Sequence, residues 1–590
     1  MQNLKEWVLN LLFVSALLLC FVHSSSSSQV ICSSQDRASL LSFKSSIIKD
    51  TTGVLDSWVG LDCCNEEWEG VQCDPATGRV TNLVLQSPLN EPTLYMKGTL
   101  SPSLGNLRSL VVLSITGTKF ISGSIPNSFY NLTSLRQLVL DDNSLQGNVP
   151  SVLGHLPSLQ ILSLAGNRFS GLVPPSLGNL GRLTILSLAR NSFSGPIPLT
   201  FKNLLKLESL DLSSNLLTGP IPDFIGQFQS LTNLFLSSNR LSGGLPVSVY
   251  SLGKLQGMSL ERNGLTGPLS DRISNLKSLT SLQLSGNKFI GHIPASITRL
   301  QNLWSLNLSR NQFSDPLPAV VARGFPSLLS IDLSYNNLNL GAIPSWIRDK
   351  QLSDINLAGC KLRGTFPKLT RPTALTSLDL SDNFLTGDVS AFLTSMTNVQ
   401  KVKLSKNQLR FDLSKLKLPE GVASIDLSSN LVTGSLSSLL NNKTSSFLEE
   451  VHLTNNQISG RIPDFTESLN LKVLNIGSNK ISGQIPSSIS NLVELVRLDI
   501  SRNHITGGIP QALGQLAQLN WLDVSINALT GRIPDSLLNI KTMKHVSFRA
   551  NKLCGLIPQG RPFNIFPAAA YLHNLCLCGK PLPACRKTMK

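Results

Sequence analysis

A repeat of about 24 residues limits what this chain can fold into more than any other feature of its sequence. Residues 183–201 read LTILSLARNSFSGPIPLTF, and the pattern returns at Leu207 as LESLDLSSNLLTGPIPDFI and at Leu231 as LTNLFLSSNRLSGGLPVSV. One turn cannot bury its own leucines, so neighbouring turns must stack against each other. The repeat therefore predicts an α/β solenoid that grows in one direction, rather than several globular domains.

Each turn carries the signals of a short strand followed by a return segment. The alternation of Leu186 and Leu188 sends leucines to one face and the polar residues between them to the other. Gly195 permits a tight bend, and Pro198 prevents the strand from continuing. The next segment, LTFKNLLKL, predicts a helical turn that leads to the following strand. Stacked turns therefore predict a parallel sheet along one side.

Asparagine recurs at one position of the turn. Its amide offers two donors and an acceptor, so a buried series of asparagines can satisfy backbone groups in neighbouring turns. Two degenerate turns place Pro88 and Thr118 at this position before the regular series begins, which gives about twenty turns. The series comprises Asn143, Asn167, Asn191, Asn215, Asn239, Asn263, Asn287, Asn311, Asn336, Cys360, Asn383, Asn407, Asn430, Asn456, Asn479, Asn503, Asn527 and Asn551.

The consensus LxxLxLxxNxLxGxIP resembles the leucine-rich repeat (LRR) of plant extracellular proteins over roughly residues 32–585. The resemblance implies a horseshoe or superhelix with the parallel sheet on its concave face. Residues 29–79 and 554–590 resemble the capping modules of the family, which leaves 80–553 for the repeats. The chain looks most like polygalacturonase-inhibiting proteins, DNA-damage-toleration-like proteins and the ectodomains of LRR receptor-like proteins. It has about twice as many turns as the inhibitors.

Eight cysteines lie in the two caps, and four cysteines in one cap allow three connectivities. A cap must end an open sheet and cover leucines that have only one neighbouring turn, which favours covalent closure. The family resemblance implies sequential pairing, as Cys32–Cys63, Cys64–Cys73, Cys554–Cys576 and Cys578–Cys585. Cys360 is interpreted as a buried substitute in the asparagine series. The alternative is a reactive or metal-binding thiol.

Residues 1–28 predict a signal peptide, because an apolar run from about residue 8 to 22 precedes small residues. The alternative is an uncleaved membrane anchor. No later segment has about 18 consecutive apolar residues. We therefore expect a secreted protein of the apoplast or cell wall, or one held peripherally at the outer face of the plasma membrane.

Motifs for catalysis are missing, since the chain has no GxSxG, HExxH, P-loop or GxGxxG sequence. A row of aspartates recurs in the pattern LDLS. It is interpreted as a set of solvated repeat residues, and the alternatives are an acid–base row or a cation track. We expect no enzyme activity, no cofactor and no metal site. The row comprises Asp211, Asp332, Asp379, Asp426, Asp499 and Asp523.

Three sequons predict N-glycosylation, at Asn131, Asn307 and Asn442. Asn131 and Asn442 fall in return segments, whereas Asn307 lies between two leucines of a strand and should face the concave surface. The GxIP signature fails between residues 388 and 446. This failure reflects either drift in a tolerant segment or a local break in curvature that shapes a binding site.

The outward positions of the strands are mostly Ser, Thr or Asp, but the last third of the chain differs. There, basic and aromatic residues predict a ligand-binding patch across about seven turns, in which one large aromatic lies among cations. The alternative is ordinary surface variation, with the site instead near Phe235, Trp304 and Tyr335. The patch comprises Lys401, Lys403, Lys406, His452, Arg497, Arg502, Trp521, His545 and Arg549.

These features favour a secreted, non-enzymatic recognition protein of defence or signalling, which binds a protein, peptide or wall polymer. Its expected partners are a receptor kinase ectodomain or a wall-degrading enzyme. The net charge of +16 also predicts attraction to anionic wall polysaccharide. The alternatives are a structural polysaccharide-binding protein and a membrane-anchored receptor-like protein acting with a receptor kinase. Nucleic-acid binding, suggested by the basic charge, conflicts with the secretion signal and the cysteine-rich caps.

Overall fold

The computed structural model describes residues 31–65, 67–87, 91, 93–317, 324–366, 372–440, 447–465 and 469–585. Three features predicted from the sequence lie outside these residues. They are the signal peptide, Pro88 of the asparagine series, which is called the asparagine ladder below, and the sequon at Asn442. The chain divides into two compact units, described separately below. The first is Met1–Ser170 with Pro174–Leu183, and the second is Gly171–Val173 with Thr184–Lys590.

The first unit begins with a cap built on one α-helix, α1 (Ser34–Ser46), whose buried face includes Leu40 and Phe43. Trp58 and Trp68 stack at 5.5 Å between ring centroids, and each is 1% exposed. Two antiparallel strand pairs follow, Ile47–Asp50 with Met96–Thr99 and Val71–Cys73 with Val80–Gln86. The parallel strands are Val80–Gln86, Val112–Thr116, Gln137–Val139 and Ile161–Ser163 in one row, and Met96–Thr99, Lys119–Gly123, Ser144–Gly147 and Arg168–Leu172 in a second.

A buried ion pair joins the cap helix to the first long strand. Asp36 is 0% exposed and accepts from Arg79 Nε at 2.8 Å and Arg79 Nη2 at 2.9 Å. The same carboxylate accepts from the backbone N–H of Val80 at 2.9 Å. The hydrogen bond to Asp36 raises the pKa of the Arg79 guanidinium. Asp36 thus fixes the helix to the start of the sheet.

The 3-10 helices of the unit are Val54–Ser57, Pro102–Asn106, Asn127–Asn131, Ser151–His155 and Pro175–Asn179.

The second unit contains a parallel sheet, named here the front sheet, formed by the LxL strands. Adjacent strands pair residue for residue, as in Ile185↔Ser209 and Leu186↔Leu210. The described strands are Ile185–Ser187, Ser209–Asp211, Asn233–Phe235, Gly257–Ser259, Ser281–Gln283, Ser305–Asn307, Ser330–Asp332, Asp354–Asn356, Ser377–Asp379, Lys401–Lys403, Ser424–Asp426, Glu450–His452, Val473–Asn475, Arg497–Asp499, Trp521–Asp523 and His545–Ser547. The predicted solenoid with parallel strands is confirmed.

Behind the front sheet, a second set of strands, named here the back strands, follows the ladder position of most turns. They are Ser192–Gly195, Leu216–Pro220, Arg240–Gly244, Gly264–Gly267, Lys288–His292, Gln312–Ser314, Arg363–Gly364, Phe384–Gly387, Gln408–Leu409, Ser459–Arg461, Lys480–Gly483, His504–Gly507, Ala528–Gly531, Lys552–Leu556 and Cys576–Cys578. The return segments are α2 (Ser345–Asp349), α3 (Ser390–Thr394) and the 3-10 helices Leu199–Asn203, Asp223–Gln227, Val247–Ser251, Asp271–Asn275, Ala295–Arg299, Pro372–Ala374, Leu413–Lys415, Leu436–Ser438, Ser487–Asn491, Gln511–Gln515, Asp535–Asn539 and Ala568–Ala570.

The described part of the irregular segment, residues 388–440, alters the back of the unit and leaves the front sheet intact. An α-helix, α3, replaces the usual 3-10 turn there, and the back strands end at Gln408–Leu409 before resuming at Ser459–Arg461. The front strands keep their register across this segment, with Ser377, Lys401, Ser424 and Glu450 paired in sequence. Variation in the return segments is therefore compatible with a continuous front sheet.

The asparagine ladder forms as predicted. Asn287, 8% exposed, donates through Nδ2 to the carbonyls of Leu260 at 2.9 Å and Leu284 at 3.1 Å. Its Oδ1 accepts from the backbone N–H of Leu265 at 3.1 Å. The ladder extends into the C-terminal cap, where Asn574 makes the equivalent bonds to Phe548 and Leu553. Asn574 was not predicted as a ladder residue, because its segment resembles a cysteine-rich cap rather than a repeat.

The described cysteines form the four pairs that the resemblance implies: Cys32–Cys63, Cys64–Cys73, Cys554–Cys576 and Cys578–Cys585. Cys360 is the free cysteine among the described residues, and it is 0% exposed in the ladder. Its Sγ lies 3.5 Å from the carbonyl of Leu333. Burial, with Asp332 and Asp315 nearby, raises the pKa of the thiol to about 12.

This environment predicts an unreactive native thiol, because the thiolate is the nucleophilic form. We expect the folded protein lacking residues 1–28 to show no fast reaction with a disulfide reagent near pH 8. After unfolding without reductant, one thiol per chain should react. Rapid reaction of the native protein, or four or more thiols after unfolding, would contradict the assignment. Cys360→Ser serves as the blank.

Candidate functional site

The front sheet presents two rows of side chains to solvent, because the middle residue of each strand is buried. Val402 is 1% exposed, whereas Lys401 and Lys403 on either side of it are exposed. The outward orientation predicted from the alternation is therefore observed at this strand.

The patch residues occupy different places on this surface. The first strand position holds Lys401, Arg497, Trp521 and His545, and the third holds Lys403 and His452. Lys406 and Arg502 lie just before ladder asparagines, where φ is 52° for both residues. Arg549 is exposed beyond the last front strand.

Three of these residues form an aromatic stack across adjacent strands. The guanidinium carbon of Arg497 lies 4.3 Å from the Trp521 ring centroid. On the other side, Trp521 and His545 stack with centroids 3.7 Å apart and planes 14° apart. Both faces of the indole are thus covered, and its edge is the part left toward solvent. The indole Nε1 is buried, and within the described residues it has no hydrogen-bond partner.

A chain of polar contacts continues from the aromatic stack. Arg497 Nε donates to Asn475 Oδ1 at 3.2 Å, and Asn475 Nδ2 lies 2.9 Å from His452 Nδ1. His452 Nε2 lies 3.9 Å from Glu450 Oε2, and Glu450 accepts from Ser424 Oγ at 3.0 Å. These contacts hold the Arg497 guanidinium in one orientation. Asn475 was missed by sequence reasoning, although counting the strand register places it beside His452.

The lysines do not join the aromatic stack. Three strands separate Lys401 from Arg497, which corresponds to about 19 Å at the usual strand spacing. Lys401 and Lys403 instead border a concavity of about 340 Å³ whose walls include Asp332, Asp354 and Asp379. The predicted patch is therefore divided into an aromatic stack and a separate area of mixed charge.

Asp211 and Asp332 are not simply solvated, and the prediction was wrong for these two members of the LDLS row. Asp332 Oδ1 accepts from the backbone N–H of Ser334 at 2.9 Å and from its Oγ at 2.6 Å. The same bonds recur at Asp379 and Asp426, so the aspartates fix the chain where each strand ends. Burial raises the pKa of the Asp211 and Asp332 carboxyl groups. The hydrogen bonds from the following serines act in the opposite direction, but their effect is smaller.

The Asp332 environment predicts a stabilising substitution, Asp332→Asn. Asn307 and Asn356 occupy the equivalent position on neighbouring strands and already accept from the following backbone N–H. Asparagine should therefore keep the bond to Ser334 and remove the cost of a buried charge. It loses the bond that Asp332 Oδ2 accepts from Asn356 Nδ2 at 3.1 Å, but Asn356 is half-buried and can turn that donor to water, so the net gain should be about 1 kcal/mol or less at pH 7. Because the pKa of Asp332 is raised in the folded protein, the charged carboxylate destabilises the fold only above that pKa. The advantage of Asp332→Asn over the parent protein should therefore disappear as the pH falls through the folded pKa toward the ordinary aspartate value of about 3.9.

Denaturant unfolding at several pH values measures this difference. Asp332→Leu is the matched control, since it removes the charge and the acceptor together and should destabilise the protein. A destabilised Asp332→Asn variant at pH 7 would contradict the account.

The predicted sequons within the described residues lie on different surfaces. Asn131 ends a 3-10 helix of the first unit, away from its strands. Asn307 lies on the front sheet and accepts from Ser309 N–H at 3.1 Å and from Ser309 Oγ at 2.7 Å. A glycan at Asn307 would cover part of the concavity that this residue lines.

The alternative site, around Trp304 and Tyr335 in the second unit, is also partly exposed. Trp304 is 49% exposed and Tyr335 is 38% exposed. The Arg310 guanidinium carbon lies 4.7 Å from the Tyr335 ring centroid. Arg310 was not among the predicted site residues, because the predicted patch was restricted to the last third of the chain.

Parallel strands, an asparagine ladder and disulfide-closed caps together define a leucine-rich repeat solenoid. The models of the leucine-rich repeat region and the leucine rich repeat N-terminal domain match residues 93–234 and 33–74. Leucine rich repeat models match residues 230–252, 279–338, 374–396, 446–505 and 469–529. No helix in the described part of the chain has the length and apolar character needed to cross a bilayer.

Known plant proteins carry the same signature. DNA damage-repair/toleration protein DRT100 of Arabidopsis thaliana is 35% identical over 19% of this chain and 32% of its own length. Polygalacturonase inhibitor 2 of Phaseolus vulgaris is 39% identical over 19% of this chain and 31% of its own length. The aligned regions thus span only about a third of these relatives.

Among solved structures, the Arabidopsis receptor kinase HAESA, in complex with the peptide hormone IDA and the co-receptor SERK1, superposes with a TM-score of 0.62. It is 28% identical, over 94% of this chain and 100% of that chain. The chain is a plant leucine-rich repeat protein of the extracellular type.

Proposed function

We propose that this chain is a secreted, non-catalytic recognition protein of the plant cell surface or wall, which binds a peptide or protein at the aromatic stack of the front sheet. The carrying observation is the arrangement of Arg497, Trp521 and His545, a large aromatic held between two cationic or polar side chains on a continuous sheet. Tryptophan and arginine dominate the binding energy of many protein interfaces.

The geometry favours a peptide over a sugar ring. A carbohydrate platform needs a free aromatic face, but Arg497 and His545 cover both faces of the Trp521 indole. The Arg497 donors that do not contact Asn475 instead suit hydrogen-bond acceptors, such as peptide carbonyls or carboxylates. HAESA, with its peptide hormone and co-receptor, supports a similar use of this fold, and a receptor kinase is the proposed second partner.

Affinity capture from apoplastic fluid tests the proposal. The protein lacking residues 1–28 is immobilised, the captured protein or peptide is identified and purified, and its affinity is measured for each variant. Trp521→Ala and Arg497→Ala should each weaken binding by at least about 2 kcal/mol. Lys403→Ala and Arg549→Ala, which lie outside the aromatic stack, should have smaller effects.

Trp304→Ala is the matched control, because it removes a tryptophan, 49% exposed, beside the same sheet but outside the aromatic stack. Unchanged affinity for Trp521→Ala together with a loss for Trp304→Ala would move the site to the Trp304 and Tyr335 region. The basic net charge of +16 favours a second role, adsorption to anionic wall polysaccharide. Displacement of every variant alike by salt or polygalacturonate would support that role instead.

A further inference from the structure

We propose that His452, Asn475 and Arg497 form a proton-sensitive orienting relay, in which protonation of His452 releases Arg497 from Trp521. The relay is defined by two contacts, Arg497 Nε to Asn475 Oδ1 at 3.2 Å and Asn475 Nδ2 to His452 Nδ1 at 2.9 Å. The inference deepens the proposed function, since it assigns a control to the same site.

The arginine decides how the Asn475 amide is turned. Arginine Nε–H is a donor only, so the Asn475 atom that faces it must be the carbonyl oxygen. The amide NH₂ of Asn475 therefore points toward His452. Because NH₂ is also a donor only, His452 Nδ1 must accept, and the imidazole is neutral with its proton on Nε2. The hydrogen-bond pattern of the relay is complete in this state alone.

Protonation of His452 breaks the pattern. The charged imidazole has a donor on both nitrogens, so Nδ1–H would meet the NH₂ of Asn475. If the amide turns over to accept from His452, its NH₂ then meets Arg497 Nε–H, and Arg497 loses its acceptor. Either way one bond is lost. Arg497 then has less to hold it 4.3 Å above the Trp521 ring.

Charged residues lie on the strands around His452. Glu450, on the same strand, lies 3.9 Å away, and Asp426 is the register partner of His452 on the preceding strand. The following strand, Val473–Asn475, carries no charged residue, and Lys472 just before it is paired with Glu449 at 2.9 Å.

The aromatic stack provides a readout that needs no ligand. Arg497 covers one face of Trp521, so its release should open the indole to acrylamide, a soluble quencher. Fluorescence of Trp521 is obtained as the difference between each variant and its Trp521→Phe counterpart. All variants carry His545→Phe, so that the second imidazole on the indole does not titrate while a flat ring remains stacked.

Three substitutions separate the steps. In the parent, quenching of Trp521 should rise as the pH falls from about 8 to about 5, the range in which histidines usually take up a proton. His452→Gln should abolish the rise, because glutamine accepts from Asn475 without titrating. Asn475→Asp should keep quenching low throughout, since a carboxylate accepts from both neighbours. Asn475→Leu should keep it high throughout.

No rise in the parent, or a rise that persists in His452→Gln, would overturn the relay. Circular dichroism and the unfolding midpoint of each variant establish that the fold is kept. Failure of the relay leaves Trp521-dependent capture intact. Failure of capture would overturn the proposed function without affecting this pH transition, so the two outcomes are distinguishable.

Discussion

Replacing Asp36 with alanine is expected to lower the free energy of unfolding of the N-terminal cap by about 3 kcal/mol. Asp36 is fully buried and accepts three hydrogen bonds, two from Arg79 and one from the N–H of Val80. Arg79 is 29% exposed in its side chain and can turn to water. Val80 is 0% exposed, so its N–H would stay buried without this acceptor.

The measurement is denaturant unfolding followed by tryptophan fluorescence, because Trp58 and Trp68 are buried in the cap. Asp36→Asn is the first control: it can still accept from Val80 but loses the charge, so its loss should be smaller. Asp349→Ala, which removes an exposed partner of Arg348, should cost about 0.5 kcal/mol or less. Equal effects for Asp36→Ala and Asp349→Ala would contradict the role assigned to the buried pair.

Periodicity is the part of the fold that the sequence predicts best. Each LxL alternation of the front sheet forms a strand with a buried middle residue. The leucines must face the interior shared with the turns on either side, so the strand can adopt only one orientation. Cys360 followed from the same argument: a residue at a ladder position is buried whatever its chemistry. The antiparallel pairing of Ile47–Asp50 with Met96–Thr99 lies outside the repeat and had no comparable signal.

The candidate site was only partly predictable, because its contacts run across strands rather than along them. Trp521 and Arg497 were identified from their outward positions, yet the stack depends on side-chain conformations that spacing does not determine. Asn475 looked like an ordinary polar residue, and its importance arises from lying between His452 and Arg497. Lys401 and Lys403 were grouped with them by charge, although three strands intervene.

The aspartates show a second limit of sequence reasoning. A polar residue at an outward position suggests solvation, but the short side chain of Asp332 bends back onto the N–H of Ser334. Such a bond two residues along the chain is a usual preference of aspartate and asparagine. The occurrence of Asn307 and Asn356 at the same position was the available signal, since both residues offer an oxygen acceptor.

Replacing Asn287 with alanine is expected to cost about 4 kcal/mol, because it leaves several buried backbone groups without a partner. The carbonyls of Leu260 and Leu284 lose a donor, and the N–H of Leu265 loses its acceptor. Each buried group left unsatisfied costs about 1–3 kcal/mol, and water cannot enter a site that is only 8% exposed without disturbing the stacked turns. Equilibrium unfolding in urea measures the loss.

Cys360 supplies the reciprocal experiment within the same ladder. A thiol is a weak donor and offers no amide oxygen, so Cys360→Asn should stabilise the protein by about 1 kcal/mol. Asn302→Ala is the matched control, because Asn302 is exposed and its Nδ2 makes a single bond, to the carbonyl of Lys277 at 3.0 Å. If Asn287→Ala and Asn302→Ala cost the same, the turns are held by leucine burial alone. A large loss at Asn287 with a gain at Cys360 would instead show that the amide ladder sets the stability of each turn.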